Sequence, residues 1–243
     1  MPLLEARGIC VDYGRVRALA GVDVEIEEGE VIGLLGPNGS GKTTLLDVLG
    51  GLRHPTAGQV RFDGALITGK RPRAFGSLGI GRTFQIPRLF AGLNVLDSVL
   101  VGVTFNTRQR LFRAEDRRRE GERLLGIVEL TDKAGALASE LSLGQMKRLE
   151  LAVALSTSPR LLLLDELTSG LSPKGRGEVL RFYGRLRERG ITILAVEHSA
   201  GTLASVADRL ILLHAGAIAA DGPASEMLAS SRVAQAYLGD GDE

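Results

Sequence analysis

Gly36-Pro37-Asn38-Gly39-Ser40-Gly41-Lys42-Thr43 fits the pattern G-x-x-x-x-G-K-[ST] at every fixed position. The pattern carries meaning only when a buried strand precedes it and a helix follows. Val31-Ile32-Gly33-Leu34-Leu35 is an apolar run of strand length, the kind buried on both faces of a parallel sheet. Gly41 to Leu49 then reads as a helix with Leu45, Leu46, Val48 and Leu49 apolar, stopping near Gly50-Gly51 ahead of Pro55. Both flanks supply the required context. Glycines at 36, 39 and 41 let backbone N–H groups turn toward phosphate oxygens with no Cβ in the way. The helix that starts there adds the positive end of its dipole. Lys42 would reach the β- and γ-phosphates, and the Thr43 hydroxyl would sit on Mg²⁺. The stretch predicts a bound nucleotide.

The chain is 243 residues long, enough for one large α/β domain or two small ones with a sizeable core. Its net charge of +1 gives no global field toward DNA or RNA, so no nucleic-acid partner is expected. The single cysteine, Cys10, falls in a predicted strand and reads as a buried structural thiol in a reducing interior. The first residues lack a basic segment followed by an apolar core, so no signal peptide is expected. No apolar run approaches the ~18 residues a membrane span needs. The longest, Leu210 to Ala220, contains His214 and Gly216.

Along the chain, Glu5 to Asp12 and Val22 to Ile26 read as strands, the second alternating apolar and acidic as in a sheet with one wet face. Tyr13 follows the first, as a turn aromatic at the sheet edge or as a functional ring. Gln59 to Phe62 is a short strand closed by Asp63-Gly64. Leu78 to Gln85 reads as another strand, and Gln85 at its carboxyl end is a plain amide or a ligand contact. Arg108 to Glu129 is helical and charged, with Arg108, Arg110, Arg113, Arg117, Arg118, Arg119 and Arg123 against Glu115, Asp116, Glu120 and Glu122. A solvated, ion-paired helix accounts for that stretch; contact with a membrane surface or an acidic partner is the alternative.

Ser142-Leu143-Gly144-Gln145 opens a helix running to about Ser156, with Ser142 and Gln145 spaced as a capping box. It also leaves a second anion-seeking helix N-terminus in one chain. Leu161 to Leu164 is a buried strand ending in Asp165-Glu166. Two acids there suit Mg²⁺ organisation by Asp165 through the metal's water shell and water positioning by Glu166. Ser172-Pro173 opens a helix that ends at Gly190, Ile191 to Val196 is the next buried strand, and His198 stands just beyond it. Pro223 to Leu238 reads as a helical pair.

Taken in order, Tyr13, the 36–43 loop, Gln85, Leu141-Ser142-Leu143-Gly144-Gln145, Asp165-Glu166 and His198 resemble the ATPase subunit of an ATP-binding cassette transporter. The resemblance covers about Leu4 to Gly239. Gly81 to Phe90, Val196-Glu197-His198 and Ala236-Tyr237-Leu238-Gly239 are most similar to the branched-chain amino-acid importers. The resemblance implies a P-loop NTPase core, a mainly parallel sheet flanked by helices, with an antiparallel β-subdomain. It also implies a single domain over 4–239 with a helical subdomain inserted at roughly 88–156. It implies that Tyr13 stacks on adenine, that Gly36, Pro37, Asn38, Gly39, Ser40, Gly41, Lys42, Thr43 and Thr44 hold the phosphates of ATP, and that Thr43 and Gln85 bind Mg²⁺. Glu166 would polarise the attacking water, with Gln85 and His198 at the reacting phosphate. Ser142, Gly144 and Gln145 would serve the ATP of a second cassette in a head-to-tail dimer. Membrane permeases and, indirectly, an external solute-binding protein are the other implied partners, at the cytoplasmic face of the membrane.

Three residues depart from the family pattern: Leu143 replaces the first of two glycines, Leu167 a proline and Ser172 an aspartate. None removes a ligand, and Leu143 is tolerable if its side chain points off the nucleotide. Rival readings are a related amide or urea importer, a soluble cassette acting on DNA or ribosomes, and a small-molecule kinase. The soluble relatives carry a long coiled coil or two cassettes, which this chain lacks. A kinase leaves the 141–145 helix and His198 without purpose.

Overall fold

The computed structural model describes residues 1–106, 113–197 and 199–229. The chain forms β1 (Leu4–Tyr13), β2 (Val16–Ile26), β3 (Val31–Leu35), α1 (Lys42–Leu49), β4 (Ala57–Phe62) and β5 (Ala65–Leu66). It continues through α2 (Pro72–Leu78), β6 (Ile80–Arg82), α3 (Val95–Phe105), α4 (Ala114–Ile127), α5 (Leu143–Leu155) and β7 (Leu161–Asp165). Then come α6 (Pro173–Glu188), β8 (Thr192–Val196), α7 (Ala200–Ala204), β9 (Arg209–His214), β10 (Ala217–Pro223) and α8 (Ala224–Leu228).

Two sheets result. One is antiparallel in the order β2-β1-β4-β5; the other runs β10-β9-β3-β8-β7-β6 and is parallel except for the β9–β10 hairpin. The parallel strands are apolar throughout because both of their faces are covered. Alternate residues go to two separate cores: Leu162, Leu164, Ile193, Ala195, Leu210 and Leu212 pack with α3 to α6, whereas Leu161, Leu163, Leu194, Val196, Ile211 and Leu213 pack with α1 and the antiparallel sheet. The period of two thus decides which layer each side chain joins. With β8 between β3 and β7, the carboxyl ends of three strands emerge side by side, where ligands bind in open α/β sheets.

Several elements differ from the sequence reading. The strand expected over Leu78 to Gln85 is only Ile80–Arg82, because Leu78 ends α2 and Gly79 closes that helix in the left-handed region at φ 101°. Gln85 therefore lies in a loop. β2 begins at Val16 rather than Val22, pairing with β1 through register shifts. The charged helix begins at Ala114, with ion pairs Arg118–Glu122 at 2.9 Å and Arg123–Glu120 at 2.6 Å; Arg108 and Arg110 lie outside the described residues. Cys10 is in β1 but only half-buried. Of the terminal pair, α8 is present and residues 230–243 lie outside the described residues.

The excursion between β6 and β7 closes on itself. Val95 N–H donates to Ala136 O (2.9 Å), Leu96 N–H to Ala134 O (3.0 Å) and Ala138 N–H to Leu93 O (3.0 Å). Asn94, whose side chain accepts from Asp97 N–H at 2.7 Å, caps α3 at this clip.

Gly33 lies where α7 and β9 press on the middle of β3: an added Cβ would fall 2.5 Å from Leu210 Cδ2 and 3.1 Å from Leu203 Cβ. Gly33→Ala is expected to lower stability by about 1–3 kcal/mol, seen as an earlier urea midpoint at unchanged slope. A parent-like midpoint would show that these leucines give way at no cost.

Candidate nucleotide-binding site

The loop from β3 to α1 crosses the carboxyl edge of the parallel sheet. Gly36 is fixed by its surroundings, since a Cβ there would lie 2.1 Å from Leu213 O and 2.6 Å from Ser40 Oγ. Gly41, at φ 107°, has Ala18 O within 2.6 Å of the same position and forms the N-cap of α1. Lys42 curls back over the loop, its Nζ donating to Gly36 O (2.6 Å) and Pro37 O (2.8 Å). Burial pushes the Lys42 pKa down, while Glu166 and Asp165 push it up. The ammonium therefore faces two carboxylates across the site.

Those carboxylates end β7. Asp165 is buried; its N–H donates to Thr83 Oγ1 (3.2 Å) and its Oδ2 lies 3.6 Å from Arg82. Burial raises the Asp165 pKa against the opposing pull of Arg82, which also pairs with Asp47 at 2.7 Å. Asp165 Oδ1 and Ser40 Oγ are buried and have no hydrogen-bond partner among the described residues. Glu166 adopts φ 51°, in the left-handed region that side-chain-bearing residues seldom occupy. It is held there by its N–H to Val196 O (2.9 Å) and by Lys147 Nζ donating to its carbonyl (2.6 Å). Gln85 Nε2 donates to Glu166 Oε2 at 2.8 Å, closing the site from the β6 side.

Asn38, Gly39, Gly41, Lys42, Thr43, Thr44, Gln85 and Glu166 together with Ala18 line one cavity of about 430 Å³, within the range of small-molecule sites. The donor set would fit Mg²⁺: the Thr43 hydroxyl and the Gln85 amide oxygen are hard ligands at the cavity, and the unpartnered Asp165 oxygen could accept from water on the ion. A second cavity of about 380 Å³ surrounds Ser142, Leu143, Gly144 and Gln145, with residues from Gly170 to Gly175 opposite. The two cavities share no lining residue. The capping box is present, Ser142 N–H donating to Gln145 Oε1 (2.9 Å) and Gln145 N–H to Ser142 Oγ (3.4 Å).

Residues 19–169 match the family described as ABC transporter. This chain belongs to the ABC transporter family. A high-affinity branched-chain amino acid transport ATP-binding protein of Pseudomonas aeruginosa, BraF, is 36% identical over 251 residues, covering 98% of each chain. A solved ATP-binding cassette of an ABC transporter in its ADP conformation superposes with a TM-score of 0.87 at 30% identity, covering 99% of this chain and 100% of the other. A dimeric cassette in a post-hydrolysis state bound to ADP and Pi matches at TM-score 0.82 and 28% identity, covering 91% of this chain and 98% of the other. The fold is accordingly the α/β cassette expected, and ATP is the nucleotide.

Tyr13 is exposed at the end of β1 and does not line the cavity; the Arg53 guanidinium stands 4.2 Å from its ring centroid. His198 lies outside the described residues. Of the three departures, Leu143 is half-exposed beside Gly170, Leu167 is buried in the core, and Ser172 caps α6 by accepting from Gly175 N–H at 3.3 Å.

Buried charges were missed. Lys147 and Glu150 occupy the inner face of α5, and Glu197 accepts from Thr168 N–H (3.1 Å), the Thr168 hydroxyl and the Tyr183 hydroxyl (3.2 Å). The legible signal was charge on the stripe shared with Leu151 and Ala154.

Burial pushes the Glu150 carboxyl up from 4.5 to about 7. With its folded-state pKa above the unfolded one, Glu150 contributes most below about pH 4.5, and that contribution fades as pH rises through about 7. Glu150→Gln removes this titration. Its unfolding free energy is therefore expected to improve relative to the parent between pH 5 and 8, by on the order of 3 kcal/mol. Parallel stability–pH curves from denaturant titration would contradict the assignment.

Proposed function

We propose that this chain is the ATP-hydrolysing subunit of an importer for branched-chain or similar hydrophobic amino acids, acting at the cytoplasmic face of the membrane. The observation that carries the reading is the shared cavity, where the loop at 36–43 meets the hydrogen-bonded Gln85–Glu166 pair. The substrate class follows from full-length similarity to a branched-chain amino acid transport ATP-binding protein.

In this reading the loop N–H groups and the α1 N-terminus hold the phosphates, and Lys42 leaves the Gly36 and Pro37 carbonyls to bind the β- and γ-phosphates. Tyr13 stacks on adenine by its face away from Arg53. Thr43 and Gln85 would hold Mg²⁺ directly and Asp165 through water; the ion supplies charge neutralisation at the phosphates. Glu166 orients and polarises the attacking water with its carboxylate, and His198 contacts the γ-phosphate. Ser142, Gly144 and Gln145 complete the site of a second cassette, and a dimeric cassette among similar structures supports that arrangement. Closing and reopening of the dimer moves attached permease subunits. Shifting such an equilibrium from 1:99 to 99:1 takes about 5.5 kcal/mol, which two shared ATP molecules supply.

Lys42→Ala is expected to abolish tight ATP binding in equilibrium titration; parent-like affinity would remove the phosphate-binding role. Glu166→Gln is expected to keep ATP binding, slow hydrolysis by ~10²–10⁴-fold and accumulate an ATP-bound dimer in size-exclusion chromatography. Hydrolysis at the parent rate would unseat Glu166. Uptake of a labelled branched-chain amino acid into vesicles reconstituted with this chain and the membrane permeases it binds tests the whole reading, and no ATP-driven uptake would overturn the substrate class.

A further inference from the structure

Arg82 ends β6 with its side chain inside the protein, 8% exposed. Its Nη2 lies 2.7 Å from Asp47 Oδ1 and 3.6 Å from Asp165 Oδ2. Its Nε and Nη1 are buried with no hydrogen-bond partner among the described residues. The Phe84 ring, its centroid 5.2 Å from the guanidinium carbon, covers the group without supplying an ordinary acceptor. The end of α1 fits the stem closely, since a Cβ on Gly50 would fall 3.3 Å from Arg82 Cδ. Stability alone does not account for such a residue. Burying a cation with most of its donors idle is costly, and apolar replacements of buried ions are often neutral or stabilising.

What the arginine holds points to its use. Asp47 lies on α1 one turn after Thr43, and Asp165 ends β7. These two elements bring the Thr43 hydroxyl and the Asp165 carboxylate to the place where Mg²⁺ would fit. Thr83 adds a second hold, its Oγ1 accepting from the Asp165 N–H at 3.2 Å. With Oδ2 beside Arg82, Asp165 Oδ1 is the oxygen left without a partner among the described residues. Carboxylates that serve a metal depend on such neighbours for their orientation.

We propose that Arg82 is a positioning residue for the Mg²⁺ site. By holding Asp47 and Asp165 together it fixes α1 against the end of β7 and leaves Asp165 Oδ1 for the metal's water. A guanidinium suits the task because it is planar and always charged. The inference rests on the nucleotide and Mg²⁺ roles proposed above.

The test titrates Mn²⁺, which shares the preference of Mg²⁺ for oxygen ligands, into the full chain saturated with a non-hydrolysable ATP analogue. Free Mn²⁺ is read by electron paramagnetic resonance, and affinity for the analogue in EDTA is measured alongside. Arg82→Met is expected to weaken Mn²⁺ binding by about tenfold or more while analogue affinity in EDTA stays within about threefold of the parent. Asp47→Asn, which removes the arginine's anchor on α1 and leaves Asp165 in place, is expected to weaken Mn²⁺ binding in the same direction. Parent-like Mn²⁺ affinity in Arg82→Met overturns the proposal. So does a loss in EDTA as large as the loss for Mn²⁺, because the damage then lies in the phosphate loop. If Arg82→Met does not fold, Asp47→Asn decides alone by the same two criteria. Failure of the underlying reading shows separately in the parent, as no analogue bound or as Mn²⁺ held no more tightly than by the free analogue.

Discussion

Charge taken out of water at the carboxyl edge of the parallel sheet is the constraint on which the rest of the structure depends. Lys42, Asp165, Glu166, Lys147, Glu150 and Glu197 are all buried there. Each ion so placed costs several kcal/mol unless neighbours replace its hydration. The fold meets this with backbone groups more than with ion pairs. Lys42 and Lys147 rest on carbonyls, Glu150 on the Arg88 N–H, and Glu197 on the Thr168 N–H and hydroxyl. A site solvated by main chain is stiff, because main chain in a packed sheet has few alternative positions. Phosphate binding and water positioning both require that stiffness.

The strained backbone of Glu166 belongs to the same economy of parts. A left-handed residue straight after a strand turns its carboxylate across the sheet edge toward Gln85, while the chain itself proceeds toward the Thr168–Ser169 turn. The conformation persists because Val196 O and Lys147 hold it from both sides. Asp165, one residue earlier, remains in the strand and points toward Arg82. Adjacent carboxylates thus acquire different environments, one paired with a buried guanidinium and one facing the cavity.

The sequence was most legible where a single physical rule governs a stretch. Val31–Leu35 and Leu161–Asp165 are strands because continuous apolar runs must be covered on both faces, and the loop at 36–43 is identified by glycines that nothing larger could replace at 36 and 41. Ser142 and Ser172 cap helices as their spacing implies. Legibility failed where two rules competed. Leu78-Gly79-Ile80 alternates like a strand, yet Pro72 starts a helix and Gly79 stops it, and that pair of end signals outweighed the alternation. Lys147 and Glu150 share a helix stripe with Leu151 and Ala154, and that spacing alone does not tell a buried charge from a surface one; tertiary packing turns the stripe inward.

The clip at the base of the excursion between β6 and β7 bears on the ancestry of such chains. Residues 93–96 and 134–138 are hydrogen-bonded neighbours, so everything from α3 through α4 leaves and returns at nearly one point. A segment with adjoining ends can be lengthened, shortened or exchanged without changing the span that the remaining chain must bridge. The surface it presents is free to diverge with whatever lies opposite it, while the strands and loops that handle phosphate stay fixed. One phosphate-handling core can in this way be refitted to different surroundings by altering a single detachable block.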